Sequence, residues 1–250
     1  MLNMIKSDLY KLKRNRAFWI NLILAVLVSG VFIIGMYTAM GSEITMMGFD
    51  MVTNLPIYLG IGFHHIFIAI FVTAFVSAEF SYGTIKNMIS RGTNRNHIVL
   101  SKIIVASLGA MVILVSFIGN ILLLSAVIWG FGSISSVSAI EFIGFMGLQI
   151  LLAVGYTSVF VFVAMSIKNI GGALSVNLIA LMMGGVLISA VELLLGGNID
   201  IGRFWLDQAG QNLNTFELGT GYVLAGVIAV VTWIKISTLM GVGLFSGEDL

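Results

Sequence analysis

The sequence predicts an all-α integral membrane protein with six transmembrane helices. Of its 250 residues, 59% are hydrophobic and 9% are charged, whereas soluble domains carry about 25% charged residues. Six apolar stretches reach the length of about 20 residues that a helix needs to cross a bilayer. Lysines and arginines collect in alternate connections between these stretches, and six successive crossings of the membrane require this alternation of sides.

A basic leader, residues 1–16, precedes the first span. Its apolar residues Ile5, Leu9 and Leu12 recur at helical spacing among lysines and arginines, which predicts a short amphipathic helix in the membrane interface. A basic anchor that only fixes topology is the alternative. The apolar stretch that follows is too long for a signal-peptide core, so we expect it to be retained as a span.

The six spans are expected over the longest apolar stretches of a single domain, residues 1–250, with no internal repeat. Their expected bounds are 18–40, 56–78, 103–130, 140–166, 172–195 and 219–240. Strands of a membrane barrel would be about 10 residues long and would alternate strictly, which these stretches do not. Thr53 and Asn54 before Pro56 predict a capped start of the second span.

The distribution of charge predicts the orientation of the spans, because cytoplasmic connections carry the excess of lysine and arginine. The basic connections contain Lys6, Lys11, Lys13, Arg14, Arg16, Lys86, Arg91, Arg95, Lys102 and Lys168. The opposite connections are acidic, with Arg203 as their only basic residue. We therefore expect a multi-pass protein of the cell membrane with both termini in the cytoplasm.

The segment before the sixth span, residues 196–218, is long for a connection in so compact a protein. It is rich in glycine and asparagine but also contains Phe204, Trp205 and Leu206. These apolar residues argue against a solvated linker. We expect extracellular re-entrant helices that dip into the outer leaflet, with their ends shielded by protein.

The sequence lacks the motifs of a self-contained enzyme. It has no glycine-lysine pair, which excludes a phosphate-binding loop. It also has no His-Glu-x-x-His motif, no serine-nucleophile elbow and no cysteine, and its three histidines form no metal-binding pattern. We expect no catalytic site, metal or cofactor in this chain, and no nucleic acid partner.

The cytoplasmic connection between the second and third spans, residues 79–102, predicts a helix–turn–helix. The apolar face of the first helix is predicted from the spacing of Tyr82, Ile85 and Ile89. Lys86 lies on the opposite face. Gly92 can end this helix in a left-handed conformation, and Thr93 or Asn94 can cap the next one.

The order of residues in this loop resembles the intracellular loop of type-2 ABC transporter permeases. That family shows an acidic residue, Gly-Thr, a basic residue, Gly-x-x-Arg and a later lysine. The corresponding residues here are Glu79, Gly83, Thr84, Lys86, Gly92, Arg95 and Lys102. The basic leader over 4–19, the six spans and the long outer segment are similar too, so the resemblance covers the whole chain.

The resemblance implies a transport permease whose motor is a separate protein. An ABC ATPase subunit, in two copies, would hold ATP and Mg and dock on the loop. The docking residues that it implies are Glu79, Gly83, Thr84, Lys86, Arg91 and Arg95. A second permease chain, identical or a close paralogue, would pair with this one in a bacterial plasma membrane. A loop that is only a basic topology determinant is the alternative.

Within that family, the chain is similar to permeases of lantibiotic-immunity transporters and of exporters of phenol-soluble modulins. This similarity implies an amphipathic or hydrophobic peptide substrate, exported from the cell or removed from its membrane. Lipids and hydrophobic drugs are the alternatives. Relatives often end with a basic cluster before an Asp and an apolar residue, whereas Asp249 and Leu250 have no basic cluster before them.

Polar groups inside the spans are candidates for the substrate path, because such groups are costly in lipid. They are Glu192, Asn120, Gln149 and Asn177. The alternative for the three amides is hydrogen bonding between helices, and the alternative for Glu192 is a position at the membrane interface.

Three further ionisable residues lie in spans. His64 and His65 are adjacent, so their directions differ by about 100°, and we expect that they do not face one site. Hydrogen bonding between helices or contact with water at the outer leaflet is the favoured interpretation. Lys235 is expected to reach the inner surface with its long side chain.

An ion- or proton-coupled secondary transporter, working without an ATPase, is the alternative function. Such transporters usually carry several charges near the midplane and broken helices from related repeats, and the sequence shows few such charges and no repeat. An intramembrane enzyme would need convergent nucleophile, base or metal-binding groups, and the sequence shows no such set.

Overall fold

The computed structural model describes residues 1–40, 48–53, 63–131, 139–196, 202, 205–206 and 220–246. Within these ranges the chain forms nine α-helices and no strand. The helices are α1 (Leu2–Arg14), α2 (Arg16–Met40), α3 (Gly48–Thr53), α4 (Phe63–Ser81), α5 (Thr84–Ser90), α6 (Arg95–Trp129), α7 (Ala139–Ile167), α8 (Ile170–Leu194) and α9 (Thr220–Ser246).

Six of these helices confirm the predicted spans. In chain order α2, α4, α6, α7, α8 and α9 are each long and apolar enough to cross a membrane, and most of their ends agree with the prediction within a few residues. The predicted start of the second span at Pro56 lies outside the described residues. So do the last four residues of the chain and most of the segment 196–218, including its predicted re-entrant helices.

The third span is much longer than predicted. It begins at Arg95 rather than near Ile103 and runs for 35 residues, or about 52 Å at 1.5 Å per residue. The hydrocarbon core of a bilayer is about 30 Å thick, so helical turns of α6 project beyond it. The polar first turns, which hydropathy alone assigns to a loop, continue the same rigid helix.

The second span, α4, lies at the centre of the bundle. It packs against α2, α6, α7 and α8, and Ile68, Phe71 and Val72 on it have no exposed surface. By contrast, α8 and α9 expose large apolar side chains such as Met182 and Leu239. Burial in the middle and apolar exposure at the edge are what a bundle surrounded by lipid requires.

The central helices approach closely where a glycine faces an aromatic ring. A Cβ at Gly109 of α6 would lie 2.5 Å from Cζ of Phe71 on α4. Small residues at such positions let membrane helices pack backbone against ring. The ring is fully buried and therefore cannot move aside into solvent.

The described residues of the outer segment pack inward. The indole of Trp205 lies against Gly184 of α8 and meets Trp233 of α9 edge-on at 5.1 Å between ring centroids. Leu206 is fully buried. Trp205 and Leu206 therefore pack against the helices of the bundle.

Candidate functional site

The loop between the second and third spans contains the short helix α5. Gly83 and Gly92 flank it with positive φ angles of 66° and 77°, a conformation that favours glycine. The predicted turn at Gly92 is confirmed, and of the two predicted caps it is Asn94 that serves, since its side-chain oxygen accepts the backbone N–H of Asn96 at 3.0 Å. The two turns fix the direction of α5 relative to both spans.

The inner face of α5 is narrower than the sequence predicts. Ile85 is fully buried and Ile89 packs against the core, as expected. The placement of Tyr82 on the same face was wrong, because its side chain is 82% exposed. Tyr82 precedes the left-handed turn at Gly83, and that turn breaks the helical spacing on which the prediction rested.

The predicted docking residues fall into three classes of exposure. Lys86 and Arg91 are exposed, Gly83, Thr84 and Arg95 are partly exposed, and Glu79 is buried. Lys86 on α5 and Arg91 at its C-cap give this loop two exposed basic side chains, whereas Ile85 of the same helix is buried. Glu79 therefore lies in the interior of the protein rather than on the surface of the loop.

Glu79 takes part in a network of buried ion pairs. The ammonium group of Lys102 donates to Oδ1 of Asp8 and to Oε1 of Glu79, both at 2.7 Å. Lys11 lies 3.1 Å from the same Glu79 oxygen and 3.4 Å from Asp8 Oδ1. The hydroxyl of Ser101 donates to Asp8 Oδ2 at 2.8 Å. We call these five residues the junction network.

The junction network joins three helices. Asp8 and Lys11 come from α1, Glu79 from the last turn of α4, and Ser101 and Lys102 from α6. The Lys102 side chain has no exposed surface and that of Asp8 is 1% exposed. Two carboxylates balance two ammonium groups there. This balance matters because a buried charge without a partner is strongly destabilising.

Sequence reasoning missed the part of the network that the leader contributes. Asp8 is the only acidic residue among the first 16, and it follows Ile5 and precedes Leu12 on the apolar face of α1. A lone acid on the buried face of an amphipathic helix requires a basic partner. That signal was present, but the partner, Lys102, lies 94 residues away.

The comparison with known families agrees with this architecture. A sequence model for the family described as "ABC-2 family transporter protein" matches residues 4–184. This chain belongs to that family. The match extends from the leader into the fifth span and so includes the junction network and α5. No curated protein matches the chain.

ABC-2 permeases are membrane transport components that are not themselves catalytic, and membership implies a partner ATPase subunit.

The amides inside the spans of this ABC-2 chain bond to other helices. Asn120 of the third span donates to the carbonyl of Val26 at 3.0 Å and to the Ser29 hydroxyl at 2.7 Å, both on the first span. Asn177 of the fifth span donates to the Thr73 hydroxyl of the second span at 2.8 Å. These bonds favour the helix-packing interpretation for both amides.

The other two substrate-path candidates lie elsewhere in the ABC-2 chain. Gln149 is buried on the fourth span. Glu192 accepts the backbone N–H of Gly202 at 2.5 Å, which ties the last turn of the fifth span to the segment before the sixth. Three of the four candidates thus have a hydrogen-bond partner on another helix or in the segment before the sixth span, and their role in a substrate path stays a prediction.

The two histidines lie side by side inside the bundle. His64 and His65 are both buried, and their ring centroids lie 4.1 Å apart. Each ring has an aromatic neighbour on a different helix, and that the two do not face one site stays a prediction. His65 meets Tyr156 of the fourth span at 4.3 Å and His64 lies 6.2 Å from Phe117 of the third.

Proposed function

We propose that this chain is the membrane permease of an ATP-driven exporter and that its ATPase subunit docks on the outer face of α5. The observation that carries the proposal is the combination of exposed Lys86 and Arg91 with the buried anchor Ile85. Basic side chains on a fixed helix can bind an acidic surface of a soluble partner. The resemblance of the loop to type-2 permeases points to the same surface.

Force applied to α5 would reach two spans directly. The helix is joined to α4 through the turn at Gly83 and to α6 through the turn at Gly92. The junction network holds the adjoining ends of α4 and α6 together and adds α1 to them. A displacement of α5 would therefore move the three helices as one body, and rigid-body motion is a common means of switching between states.

Glu79 has an indirect role in this proposal. Its side chain is buried and bound to two lysines, so it holds the junction rather than touching the partner. Thr84 and Arg95, which are partly exposed, lie at the edge of the docking surface with Gly83. Docking and transmission are thus assigned to different residues of one loop.

The assembly that follows has two permease chains and two ATPase subunits, with ATP and Mg held in the ATPase. We assign both termini of the permease to the cytoplasm of a bacterial cell, since residues 1–16 and the connection 79–102 contain nine of the twelve lysines and arginines and lie at the same end of the bundle. The positive-inside rule assigns that end to the cytoplasm.

The proposed substrate is an amphipathic or hydrophobic peptide. The resemblance to lantibiotic-immunity and modulin-exporter permeases supports it, as does the scarcity of charge within the spans. The amides at Asn120 and Asn177 are engaged by other helices, which suits a path lined mainly by apolar groups and entered from the lipid. A wide, strongly charged, water-filled cavity in the dimer would contradict this path.

A pull-down of the tagged chain from its native membrane in mild detergent tests the proposal. We expect a stoichiometric soluble subunit with a phosphate-binding loop. The loop variant Lys86→Gln/Arg91→Gln should recover at least tenfold less of it, because the docking surface loses both exposed charges. The leader variant Lys13→Gln/Arg16→Gln removes the same charge elsewhere and should recover the wild-type amount.

Recovery of the chain alone in several detergents would contradict the proposal and favour the ion-coupled transporter. Equal recovery of the ATPase by both variants would contradict the docking surface. Stimulation of ATP hydrolysis by added amphipathic peptides, measured on the recovered complex, tests the substrate class separately.

A further inference from the structure

The leader helix has a second face that the junction network does not use. Opposite the buried Asp8 and Leu12, α1 exposes several cations and an aromatic ring: Lys6, Tyr10, Lys13 and Arg14. The guanidinium carbon of Arg14 lies 4.6 Å from the centre of the Tyr10 ring. Among the residues that the structure describes, Lys6, Lys13, Arg14 and Arg16 form no ion pair with an acid.

This basic face continues into an apolar stripe on the first span. Arg16 and Trp19 lie on the first turn of α2, and the exposed side chains Ile20, Ile23 and Leu27 follow at helical spacing. An unbroken surface therefore runs from a cluster of cations, past an indole, to aliphatic side chains.

The bend between α1 and α2 is fixed by local hydrogen bonds. The side-chain oxygen of Asn15 accepts the backbone N–H of Ala17 at 2.8 Å. The indole N–H of Trp19 donates to the carbonyl of Lys13 at 2.9 Å. Phe18, on the opposite side of α2, is buried and meets Phe71 edge-on at 5.3 Å. The basic part of the surface on α1 and its apolar part on α2 are therefore held in fixed positions relative to each other.

We propose that this surface binds an anionic phospholipid. Its phosphate meets Lys13 and Arg16, its glycerol region meets Trp19, and its acyl chains run along Ile20, Ile23 and Leu27. Anionic headgroups attract basic residues beside a membrane helix, and tryptophan belongs at the level of the headgroups. The order of chemistry along the surface matches the order within a phospholipid molecule.

Other occupants match only part of this surface. A soluble protein could contact the cations but not side chains in the hydrocarbon layer. An apolar span of a second copy could cover Ile20 to Leu27 but would leave Lys13 and Arg16 without counter-charge. A phospholipid with a negative headgroup satisfies both parts at once.

A lipid bound here would also act on the junction. The helix that presents Lys13 also carries Asp8 into the network with Lys102. Holding α1 against the membrane would keep Asp8 and Lys11 in place against Glu79. The inference needs α1 to lie at the membrane surface, as the proposed function also assumes, but it does not depend on an ATPase.

Native mass spectrometry of the purified full chain tests the inference, with phosphatidylglycerol and phosphatidylcholine added in equal amounts. We expect the wild type to retain phosphatidylglycerol at least fivefold over phosphatidylcholine. The leader variant Lys13→Gln/Arg16→Gln should lose the preference, and the charge-conserving Lys13→Arg/Arg16→Lys should keep it. The loop variant Lys86→Gln/Arg91→Gln should also keep it, although its net charge equals that of the leader variant.

Three results would overturn the inference. The first is a wild type without preference, and the second is a leader variant with the wild-type preference. The third is a wild-type dimer that retains no lipid and becomes monomeric in the leader variant, which would assign the surface to a second copy. Insertion of each variant is checked with a cysteine introduced at Ser7, since the chain has none. The experiment contains no ATPase, so failure leaves the proposed docking untouched.

Discussion

Lys102 shows how a single residue can be both costly and necessary in this protein. Its ammonium group is fully buried, and removing such a group from water costs several kcal/mol. Two carboxylates at 2.7 Å offset that cost, but each carboxylate in turn depends on the lysine. The stability of the junction therefore lies in the balance of charge.

Replacing Lys102 tests this balance. Lys102→Met keeps the volume but leaves Asp8 buried with only partial compensation, so we expect a loss of about 3–5 kcal/mol of stability. Thermal unfolding in detergent should show a lower Tm. Adding Asp8→Asn removes the stranded charge and should recover part of the loss. A double variant less stable than the single one would contradict the assigned balance.

Among the helices, the close packing of the second span against the third depends on the absence of a side chain at Gly109. Gly109→Ala would place a methyl group 2.5 Å from the Phe71 ring, and overpacking of this kind typically costs about 1–3 kcal/mol. Gly119→Ala on the same helix meets no atom within 4 Å and should be neutral or stabilising, because alanine favours the helix by up to about 1 kcal/mol.

A comparison of the Tm values of Gly109→Ala and Gly119→Ala separates the effect of packing from that of helix propensity. A Gly109→Ala variant as stable as the wild type would show that α4 and α6 can separate slightly at this point. Equal destabilisation by both substitutions would contradict the assigned contact.

The elements were predictable from sequence to different degrees, for physical reasons. A span is a local property, since about 20 apolar residues suffice to define it, and all six were found. Tyr82 was misplaced because the left-handed turn at Gly83 interrupts the spacing. The ion pair between Asp8 and Lys102 could not be found by local patterns, because it depends on which helices become neighbours.

In the transporter as a whole, binding of the ATPase and transmission of its motion are assigned to different residues. Lys86 and Arg91 are exposed, whereas Glu79 is buried. Substitutions in the two groups should therefore fail in different ways, although they lie in the same loop.

The variant Glu79→Gln tests this separation in the assembled transporter. We expect it to retain the ATPase in a pull-down but to lose most of the peptide-stimulated hydrolysis, because the junction loses one of its two negative charges. The loop variant Lys86→Gln/Arg91→Gln should lose the ATPase itself. If Glu79→Gln released the ATPase as completely as the loop variant, direct docking at Glu79 would replace the indirect role.

The distance along the chain between Asp8 and Lys102 also bears on how the protein is made. The leader leaves the ribosome before its partner, which follows 94 residues later, or roughly 5–20 s at usual rates of synthesis. During that interval Asp8 has only Lys11 beside it and must remain hydrated at the membrane surface. The leader can dock only after the second span has been inserted and the third has begun to emerge, so its docking marks the point at which the first half of the bundle closes.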